Sequence, residues 1–349
     1  MLLPLLKIIT FNVYLLCVGP DCLLREVPDI EARKAQIAVW LKEQNADIIF
    51  LQEVWQAEQF DFLKRESGYP YGVTFGEKSE MAVLSRYPIT SSDYIPNRWQ
   101  GSYTEDCKKG VVGYRYGLGL ATVDVNGTEI VIANAHLLAR RSDIAGFDKP
   151  ADRLTNERKM LLLEYRLLLK DQIGAKPVIF AGDFNMNHQS DEYDFFRRLF
   201  DLSDVIEAKR GGESLCSYCE DNVYTKKQGN PTEHVIDHIF INGFFTPISA
   251  RIDFPKPDLS DHQPVEAVLE LNLLGRGGPT WPPAIKGQPS SFAKASADRH
   301  GIAPTNNEID QLIGYFEKVP LHPYCYLSYE LGWKQKKKTL EFLKKLRGP

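Results

Sequence analysis

The sequence predicts an α/β protein, because short apolar runs alternate along the chain with two longer segments of helical periodicity. Several of these runs contain four or more consecutive apolar residues, which is typical of strands buried on both faces. With 349 residues, 43% of them hydrophobic and 25% charged, the chain is long enough for one large domain and an appendage. We expect that domain to occupy residues 1–273.

Eight segments are predicted to be strands, and two to be helices. The helices are residues 29–45, with Ile37, Trp40 and Leu41 at helical spacing, and residues 154–172, which repeat that pattern. Asn126-Gly127 between two strand segments is a strong hairpin signal. The predicted strands are 7–13, 47–52, 81–86, 118–125, 129–136, 177–181, 235–241 and 264–271.

The composition changes after the predicted domain. Residues 274–305 are rich in Gly, Pro and Ser, which predicts a linker or a disordered insert. Residues 306–349 are predicted to form short amphipathic, basic helices. Two roles for these helices stay open: packing on their own domain, or binding a partner or a membrane.

Charge and cysteine content narrow the class of protein. The net charge is −4, but the last nineteen residues carry seven Lys/Arg and one Glu, so the rest is near −10. That balance does not favour a DNA-binding groove, although a bound metal can reverse the local field. Six scattered cysteines, and no signal peptide or membrane-length apolar run, lead us to expect a cytoplasmic protein. We expect Cys216 and Cys219 to be ordinary loop cysteines.

Polar residues stand where the predicted strands end or begin. Glu53 follows the apolar run IIFLQ, and a carboxylate there must be hydrated or bound to a cation. Asp183 and Asn185 follow VIFAG in the segment VIFAGDFNMN, a pair that can deprotonate or orient a water molecule. Asn12 and His136 stand at the ends of two further strands, KIITFN and EIVIANAH.

Two Asp-His pairs complete the set. Asp261 and His262 immediately precede a strand, whereas Asp237 and His238 lie inside one. Because adjacent strand residues point to opposite faces, we expect Asp237 to face the site and orient His262, and His238 to be a core residue.

Strand ends and the starts of antiparallel neighbours meet on one rim of a sheet, so we expect all eight groups to converge there. Their oxygen ligands suit a hard cation such as Mg²⁺, with Mn²⁺ as an alternative. Such a cation would neutralise phosphate oxygens, which predicts phosphoryl chemistry. The eight groups are Asn12, Glu53, His136, Asp183, Asn185, Asp237, Asp261 and His262.

GDFN in combination with SDH resembles the endonuclease/exonuclease/phosphatase superfamily, and the match extends over residues 6–272. The resemblance implies the fold of deoxyribonuclease I, a four-layered α/β sandwich with two packed mixed β-sheets flanked by helices. It implies that Glu53 is the principal metal ligand, with Asn12 and Asp261 near it. Asp183 would activate water, and Asn185 would orient the water or the phosphate.

The resemblance also assigns the histidines. His136 would contact the phosphoryl group, and Asp237 with His262 would form a dyad that stabilises the transition state or acts as acid/base. Within the superfamily, LQEVWQAEQFDFLKRE, GDFNMN and SDHQPVEAVLEL are similar to segments of neutral sphingomyelinases. CKKGVVGYRYGLGLATV resembles their Lys-Gly segment, which would place Lys109 near the phosphate.

Three hypotheses follow. The first is a Mg²⁺-dependent phospholipase C-type hydrolase that cleaves sphingomyelin or a related lipid phosphodiester. It would contact the membrane peripherally through the basic C-terminal tail or an aromatic loop, whose rings are Trp99, Tyr103, Tyr114 and Tyr116. The second is a nuclease or abasic-site DNA endonuclease with the same site. The third is a non-catalytic binding scaffold.

Overall fold

The structure is a computed structural model built on two six-stranded mixed sheets. It describes residues 4–16, 27, 29–76, 79–97, 117–138, 151–188, 190–209, 216–228, 234–272, 304–318 and 329–347. No helix among these residues is long and apolar enough to cross a membrane.

The first sheet has the strand order β11-β12-β1-β2-β4-β3. Only β1 and β2 in it are paired in parallel. Its strands are β1 (Leu5–Asn12), β2 (Ile48–Gln52), β3 (Tyr71–Thr74), β4 (Ala82–Ser85), β11 (Phe245–Ile252) and β12 (Val265–Leu271).

The second sheet has the order β5-β6-β7-β8-β10-β9, and its parallel pair is β7 with β8. Its strands are β5 (Ile89–Pro96), β6 (Gly117–Val125), β7 (Thr128–His136), β8 (Val178–Asp183), β9 (Ser203–Asp204) and β10 (Asp237–Ile241). Asn126 and Gly127 turn between β6 and β7, both with positive φ, as the hairpin signal predicts.

Helices make the connections that a parallel pair requires. The helices of the described residues are α1 (Ile30–Gln44), α2 (Ala57–Ser67), α3 (Ala151–Ile173), α4 (Asp191–Leu199), α5 (Val205–Lys209), α6 (Val223–Gln228), α7 (Asn306–Lys318) and α8 (Tyr329–Arg347). Helix α1 joins β1 to β2, and α3 joins β7 to β8.

Strand alternation divides the apolar residues into three layers of core. Ile8 of β1 and Ile179 of β8 point inward and pack between the two sheets. Ile9, the next residue of β1, packs outward against α1 and α2. Phe180 of β8 packs outward against α3, α4 and the C-terminal helices. The predicted four-layered sandwich is therefore confirmed.

The C-terminal helices pack on this second outer layer. Phe316 of α7 and Leu343 of α8 are fully buried in the same core cluster as Phe180. The Tyr315 hydroxyl donates to Glu157 of α3 at 2.9 Å. The apolar side of the predicted amphipathic tail is thus used inside the protein. The predicted linker, 274–305, lies almost entirely outside the described residues, and the domain boundaries stay a prediction.

All eight predicted strands are present, but four others were not predicted. The unpredicted strands β3, β5, β9 and β11 are the four edges of the two sheets. Strand β5 is mostly exposed along its length, so its sequence lacks the apolar run that marks a central strand. Helices α2 and α4 were not predicted either.

Candidate active site

Four of the predicted residues stand at strand ends on one rim. Asn12 ends β1, and Glu53 follows β2, whose last residue pairs with Asn12 in the parallel register. His136 ends β7 and pairs with Asp183 at the end of β8. Because parallel strands end on the same side of a sheet, each pair brings its two residues together.

The antiparallel strands start at this rim. Asp237, the first residue of β10, pairs directly with Asp183. Asp261 and His262 precede β12, and the Ser260 hydroxyl donates to the Asn12 carbonyl at 2.7 Å, which ties this segment to the end of β1. The structure therefore brings the six strand ends of the prediction to one place.

Asp183 lies at the centre of the site and is almost fully buried. Its Oδ2 accepts a hydrogen bond from Asn12 Nδ2 at 3.0 Å and lies 3.5 Å from His136 Nε2 and 3.7 Å from His262 Nε2. Its Oδ1 accepts from the Asn185 backbone N–H at 2.9 Å. Burial, and next the charge of Asp237, raise the pKa of Asp183. A carboxylate so placed is suited to accept a proton.

His262 and Asp237 form the predicted dyad, with 2.8 Å between His262 Nδ1 and Asp237 Oδ2. Burial alone would lower the pKa of His262, but the charges of Asp237 and Asp183 outweigh it and raise the pKa well above its usual value. This shift favours the protonated form of His262, whose Nε2 lies 3.7 Å from Asp183 Oδ2.

His136 is held in the same way by Glu80, a residue that the sequence did not point to. The distance from His136 Nδ1 to Glu80 Oε1 is 2.7 Å. Burial would lower the pKa of His136, but the hydrogen bond to Glu80 and the surrounding carboxylates raise it to about 10. Glu80 stands just before β4, so a carboxylate beside a buried strand is the signal that could have found it.

Glu53 and Asp261, the two carboxylates predicted to bind the cation, lie at one end of the site, which we call its metal end. Asn12 Nδ2 bridges Glu53 and Asp183, with 3.2 Å to Glu53 Oε1, while Asn12 Oδ1 accepts from the Tyr14 backbone N–H at 3.1 Å. Burial raises the pKa of Glu53 to about 7, His136 counters this shift and Asp261 adds to it. A carboxylate whose ionisation is opposed by burial, as that of Glu53 is, is suited to bind a divalent cation. Asn12 therefore bridges Glu53, a predicted metal ligand, and Asp183, the predicted base.

A second group has metal-binding spacing: ligand atoms of Asp183, Asp237 and His262 lie within 4.8 Å of one another. We do not assign a metal there, because His262 Nδ1 lies 2.8 Å from Asp237 Oδ2 and the three side chains form the predicted dyad and base.

Two strained residues and one glycine shape the rim. Glu53 and Asn185 both have positive φ, 59° and 49°, a conformation that is uncommon for residues with a side chain and that clusters at functional sites. Gly182 has φ 147°, and a Cβ on it would lie 2.0 Å from the Ala135 carbonyl oxygen. Only glycine allows β8 to pass β7 so closely immediately before Asp183.

Asn185 contacts the site mainly through its backbone. Besides the bond to Asp183, its Nδ2 donates to the Leu137 carbonyl at 2.9 Å, just beyond His136. Asn185 therefore connects the turn after β8 to the end of β7 and orients the Asp183 carboxylate.

His238 is a core residue, as strand alternation predicts. It is fully buried, with Nδ1 2.8 Å from Asp204 Oδ2 and Nε2 3.0 Å from the Met186 carbonyl. Lys109 lies outside the described residues, as do Trp99, Tyr103, Tyr114 and Tyr116 of the aromatic loop.

Cys216 and Cys219 form a disulfide, contrary to the expectation of two ordinary loop cysteines. The two residues that they enclose contact the dyad. The Ser217 hydroxyl accepts from the Asp237 backbone N–H at 3.1 Å, and the Tyr218 ring packs edge-on against His262 at 5.2 Å between centroids. The CxxC segment thus supports His262 and Asp237 from outside the sheet.

Comparison with known proteins identifies a family, a related sequence and solved structures with the same fold. The Endonuclease/Exonuclease/phosphatase family matches residues 9–262, a range that includes every residue of the rim. A Drosophila melanogaster protein named "Putative neutral sphingomyelinase" is 28% identical over 293 residues, covering 78% of this chain and 62% of that protein. The chain thus spans less than two thirds of the length of that relative.

Three crystal structures share the fold. Sphingomyelinase C from Streptomyces griseocarneus superposes with a TM-score of 0.58 at 19% identity, covering 76% of this chain and 99% of that one. A beta toxin variant from Staphylococcus aureus with bound magnesium ions gives 0.59 at 17% identity, with coverages of 75% and 98%. TDP2 of D. rerio complexed with single strand DNA product gives 0.56 at 20% identity, with 76% and 99%.

Proposed function

The chain belongs to the endonuclease/exonuclease/phosphatase family, and we propose that it is a metal-dependent phosphodiesterase, a hydrolase acting on phosphoric diester bonds. The observation that carries the proposal is the position of Asp183. This buried carboxylate lies within 3.7 Å of two histidines, and each histidine is held by its own carboxylate. A base beside two cationic donors matches the needs of phosphoryl transfer.

We assign the cation to Glu53 and Asp261, with Asn12 orienting the Glu53 carboxylate. Mg²⁺ is the ion proposed, because the donors are hard oxygens, and Mn²⁺ is the alternative. Such an ion supplies charge neutralisation at a non-bridging phosphate oxygen when it is bound. The magnesium ions in the related beta toxin fold support this choice.

The side chains divide the remaining work. Asp183 takes the proton of the attacking water, and the Asn185 backbone N–H holds the carboxylate in place for that transfer. His262 and His136 present Nε2–H groups toward the same point, where they stabilise the negative charge that develops on the phosphoryl oxygens. As the P–O bond to the leaving alcohol breaks, His262 gives that oxygen its Nε2 proton. Asp237 and Glu80 keep both imidazoles oriented and protonated.

For the substrate we propose a lipid phosphodiester, cleaved in the manner of a phospholipase C, as in a neutral sphingomyelinase. The likeness to the Drosophila melanogaster relative, over 78% of the chain, supports this choice. The alternative is a nuclease or abasic-site DNA endonuclease, supported by the shared fold with TDP2 bound to its DNA product. A non-catalytic scaffold is the third candidate, and the retention of base, metal carboxylates and both histidines counts against it.

Peripheral membrane contact by a cytoplasmic protein is part of the proposal. The exposed side of α8 carries Lys337, Lys338 and Lys345, while its apolar side is buried. Lysines on a surface helix attract anionic lipid headgroups. Lys109 is proposed as the phosphate contact supplied from outside the described residues.

A parallel assay separates these functions. Sphingomyelin vesicles, abasic duplex DNA and a small soluble phosphodiester are each incubated with the protein in Mg²⁺ or in chelator. We expect Mg²⁺-dependent release of a phosphorylated headgroup, and a loss of about 10²- to 10⁴-fold in kcat for Asp183→Asn. Cleavage of DNA alone would refute the lipid substrate. If none of the three substrates is hydrolysed, the proposal that the protein is a phosphodiesterase is refuted.

A further inference from the structure

Arg33 lies in the first turn of α1, and its side chain is only 2% exposed. Burying a guanidinium is unfavourable unless its N–H groups are paired. The contacts that satisfy Arg33 therefore show what the residue does in the folded protein.

Arg33 binds backbone carbonyls of two segments that meet at the metal end of the site. Nη1 donates to the carbonyls of Val13 at 3.1 Å and Leu259 at 2.9 Å, and Nη2 donates to the carbonyl of Tyr14. Val13 directly follows Asn12, and Leu259 lies two residues before Asp261. One planar guanidinium thus joins the segment after β1 to the segment before β12.

The segment after β1 is held in a conformation that needs such support. Tyr14 has φ 49°, its N–H donates to Asn12 Oδ1, and the following N–H, of Leu15, donates to the Glu53 carbonyl at 3.2 Å. A non-glycine residue with positive φ persists only where its surroundings fix it. Arg33 binds the Val13 and Tyr14 carbonyls of this turn.

Aromatic rings and carboxylates also surround the guanidinium. It lies 5.5 Å from the centroid of the Tyr14 ring and 5.2 Å from that of Tyr224 in α6. Burial lowers the pKa of Arg33, and the charges of Asp261 and Glu53 are among those that counter the shift. Because a guanidinium stays protonated in proteins, Arg33 is a permanent positive charge beside the proposed metal ligands.

We propose that Arg33 is the positioning residue of the metal end: its guanidinium fixes the two segments that carry Asn12 and Asp261, so that a divalent cation binds to ligands already in place. This inference rests on the proposed metal-dependent function. It assigns Arg33 no contact with substrate, so the effect of changing it falls on metal affinity.

The charge of Arg33 and its positioning of the ligand segments have opposite effects on metal affinity, so an experiment can separate the two roles. A positive charge beside the carboxylates repels a cation, so charge removal alone tightens binding. Loss of positioning weakens it. Arg33→Lys keeps the charge but removes the planar fork that reaches three carbonyls, whereas Arg33→Gln removes both.

The test measures Mg²⁺ and Mn²⁺ binding to the full chain by titration calorimetry, with each ion alone as the probe. We expect Arg33→Lys to raise the Kd about tenfold, the lower end for residues that orient metal ligands. At saturating metal, kcat on a soluble phosphodiester should return close to the wild-type value. A thermal melting curve identifies a variant that unfolds, and the metal Kd of the other Arg33 variant then tests the proposal.

Arg166→Lys is the matched control, because Arg166 Nε also donates to a backbone carbonyl, that of Leu199, on the opposite side of the second sheet from the first. Its metal Kd should not change. An unchanged Kd in Arg33→Lys with tighter binding in Arg33→Gln would overturn the positioning role and leave only a charge effect. An equal rise in the metal Kd of Arg166→Lys would also overturn the positioning role. Wild-type protein that binds neither ion would refute the proposed function itself.

Discussion

At the scale of single residues, the site has an excess of negative charge. Five carboxylates of the described residues lie around two histidines, with Arg33 nearby, so acidic groups outnumber basic ones, which favours the binding of a cation. The pKa of Glu53, raised to about 7, shows how strongly burial opposes this excess. The carboxylates are Glu53, Glu80, Asp183, Asp237 and Asp261. Cation binding and the ionisation of Glu53 should therefore be linked.

The contribution of the Glu53 charge to cation binding can be tested with Glu53→Gln. The amide keeps the shape of the side chain but loses its charge, so we expect a Mg²⁺ requirement raised by about 10- to 100-fold. Activity measured against Mg²⁺ concentration, at fixed substrate, gives the half-saturation value. An unchanged requirement would remove Glu53 from the metal ligands.

Glu80 controls the protonation of His136. The carboxylate of Glu80 helps to raise the pKa of His136 to about 10, so the charged imidazole persists at every pH below that value. In Glu80→Gln the pKa falls, and the basic limb of the kcat/KM profile should move to lower pH. At neutral pH we expect kcat to fall by about 10- to 100-fold. A profile that superposes on that of the wild type would contradict this role.

The residues that could be predicted from the sequence are those at the ends of apolar strands. Asn12, His136, Asp183 and Asp237 each terminate or begin such a strand, so strand geometry alone places them on a common rim. Glu80 was missed because its contact with His136 joins positions 56 residues apart, and its one local signal, a carboxylate just before a buried strand, does not reveal that partner. Arg33 was missed because it stands on a helix, where periodicity identifies apolar neighbours and not a buried charge.

At the scale of elements, the central strands were predictable and the edges were not. A central strand must be apolar on both faces, and this leaves a continuous run in the sequence. Strands β3, β5, β9 and β11 have one neighbour each, and the exposed residues of β5 show why no such run is needed. Edge strands are recognised by the partner that they pair with, which the sequence does not reveal.

The junction of β7 and β8 has the tightest constraint among these elements. Gly182→Ala would place a Cβ 2.0 Å from the Ala135 carbonyl oxygen, in a residue with φ 147°. We expect a loss of at least about 3 kcal/mol in the free energy of unfolding, from steric overlap and backbone strain together. Denaturant titration gives this value.

Gly174→Ala is the control for that experiment. Gly174 follows α3, and no heavy atom lies within 4 Å of a Cβ built on it. Its free energy of unfolding should stay within about 0.5 kcal/mol of the wild type. Equal stability of the two variants would show that β7 and β8 can separate at the site without cost.

At the scale of the whole molecule, the two sheets act as one support. Each sheet contributes a parallel pair and one antiparallel strand to the rim, and the core between the sheets fixes their separation. Rigid packing of this kind holds a charged site that is itself unfavourable to folding. The C-terminal helices extend the outer core of the second sheet, on the side away from the first sheet.

The packing of the C-terminal helices on this outer core predicts that their removal lowers the stability of the protein. Ile309, Leu312, Phe316 and Leu343 are buried in the cluster that also contains Phe180, and each stabilises the fold by about 1.5 to 3 kcal/mol. Truncation after residue 272 exposes the surface that they cover, so we expect the Tm to fall by about 10 °C or more. Activity on soluble and vesicle substrates should fall together as the protein unfolds.

Charge reversal tests the other role of the tail without disturbing its core. Lys338 and Lys345 are exposed on α8, so Lys338→Glu with Lys345→Glu should leave the Tm nearly unchanged. If α8 contacts an anionic membrane, each lost lysine weakens binding by about 1 kcal/mol, and reversal adds repulsion. We therefore expect activity on vesicles that contain anionic lipid to fall more than tenfold, with hydrolysis of a soluble phosphodiester preserved. Equal activity of the variant and the wild type on those vesicles would show that α8 is structural, because its buried face would then account for everything the helix does.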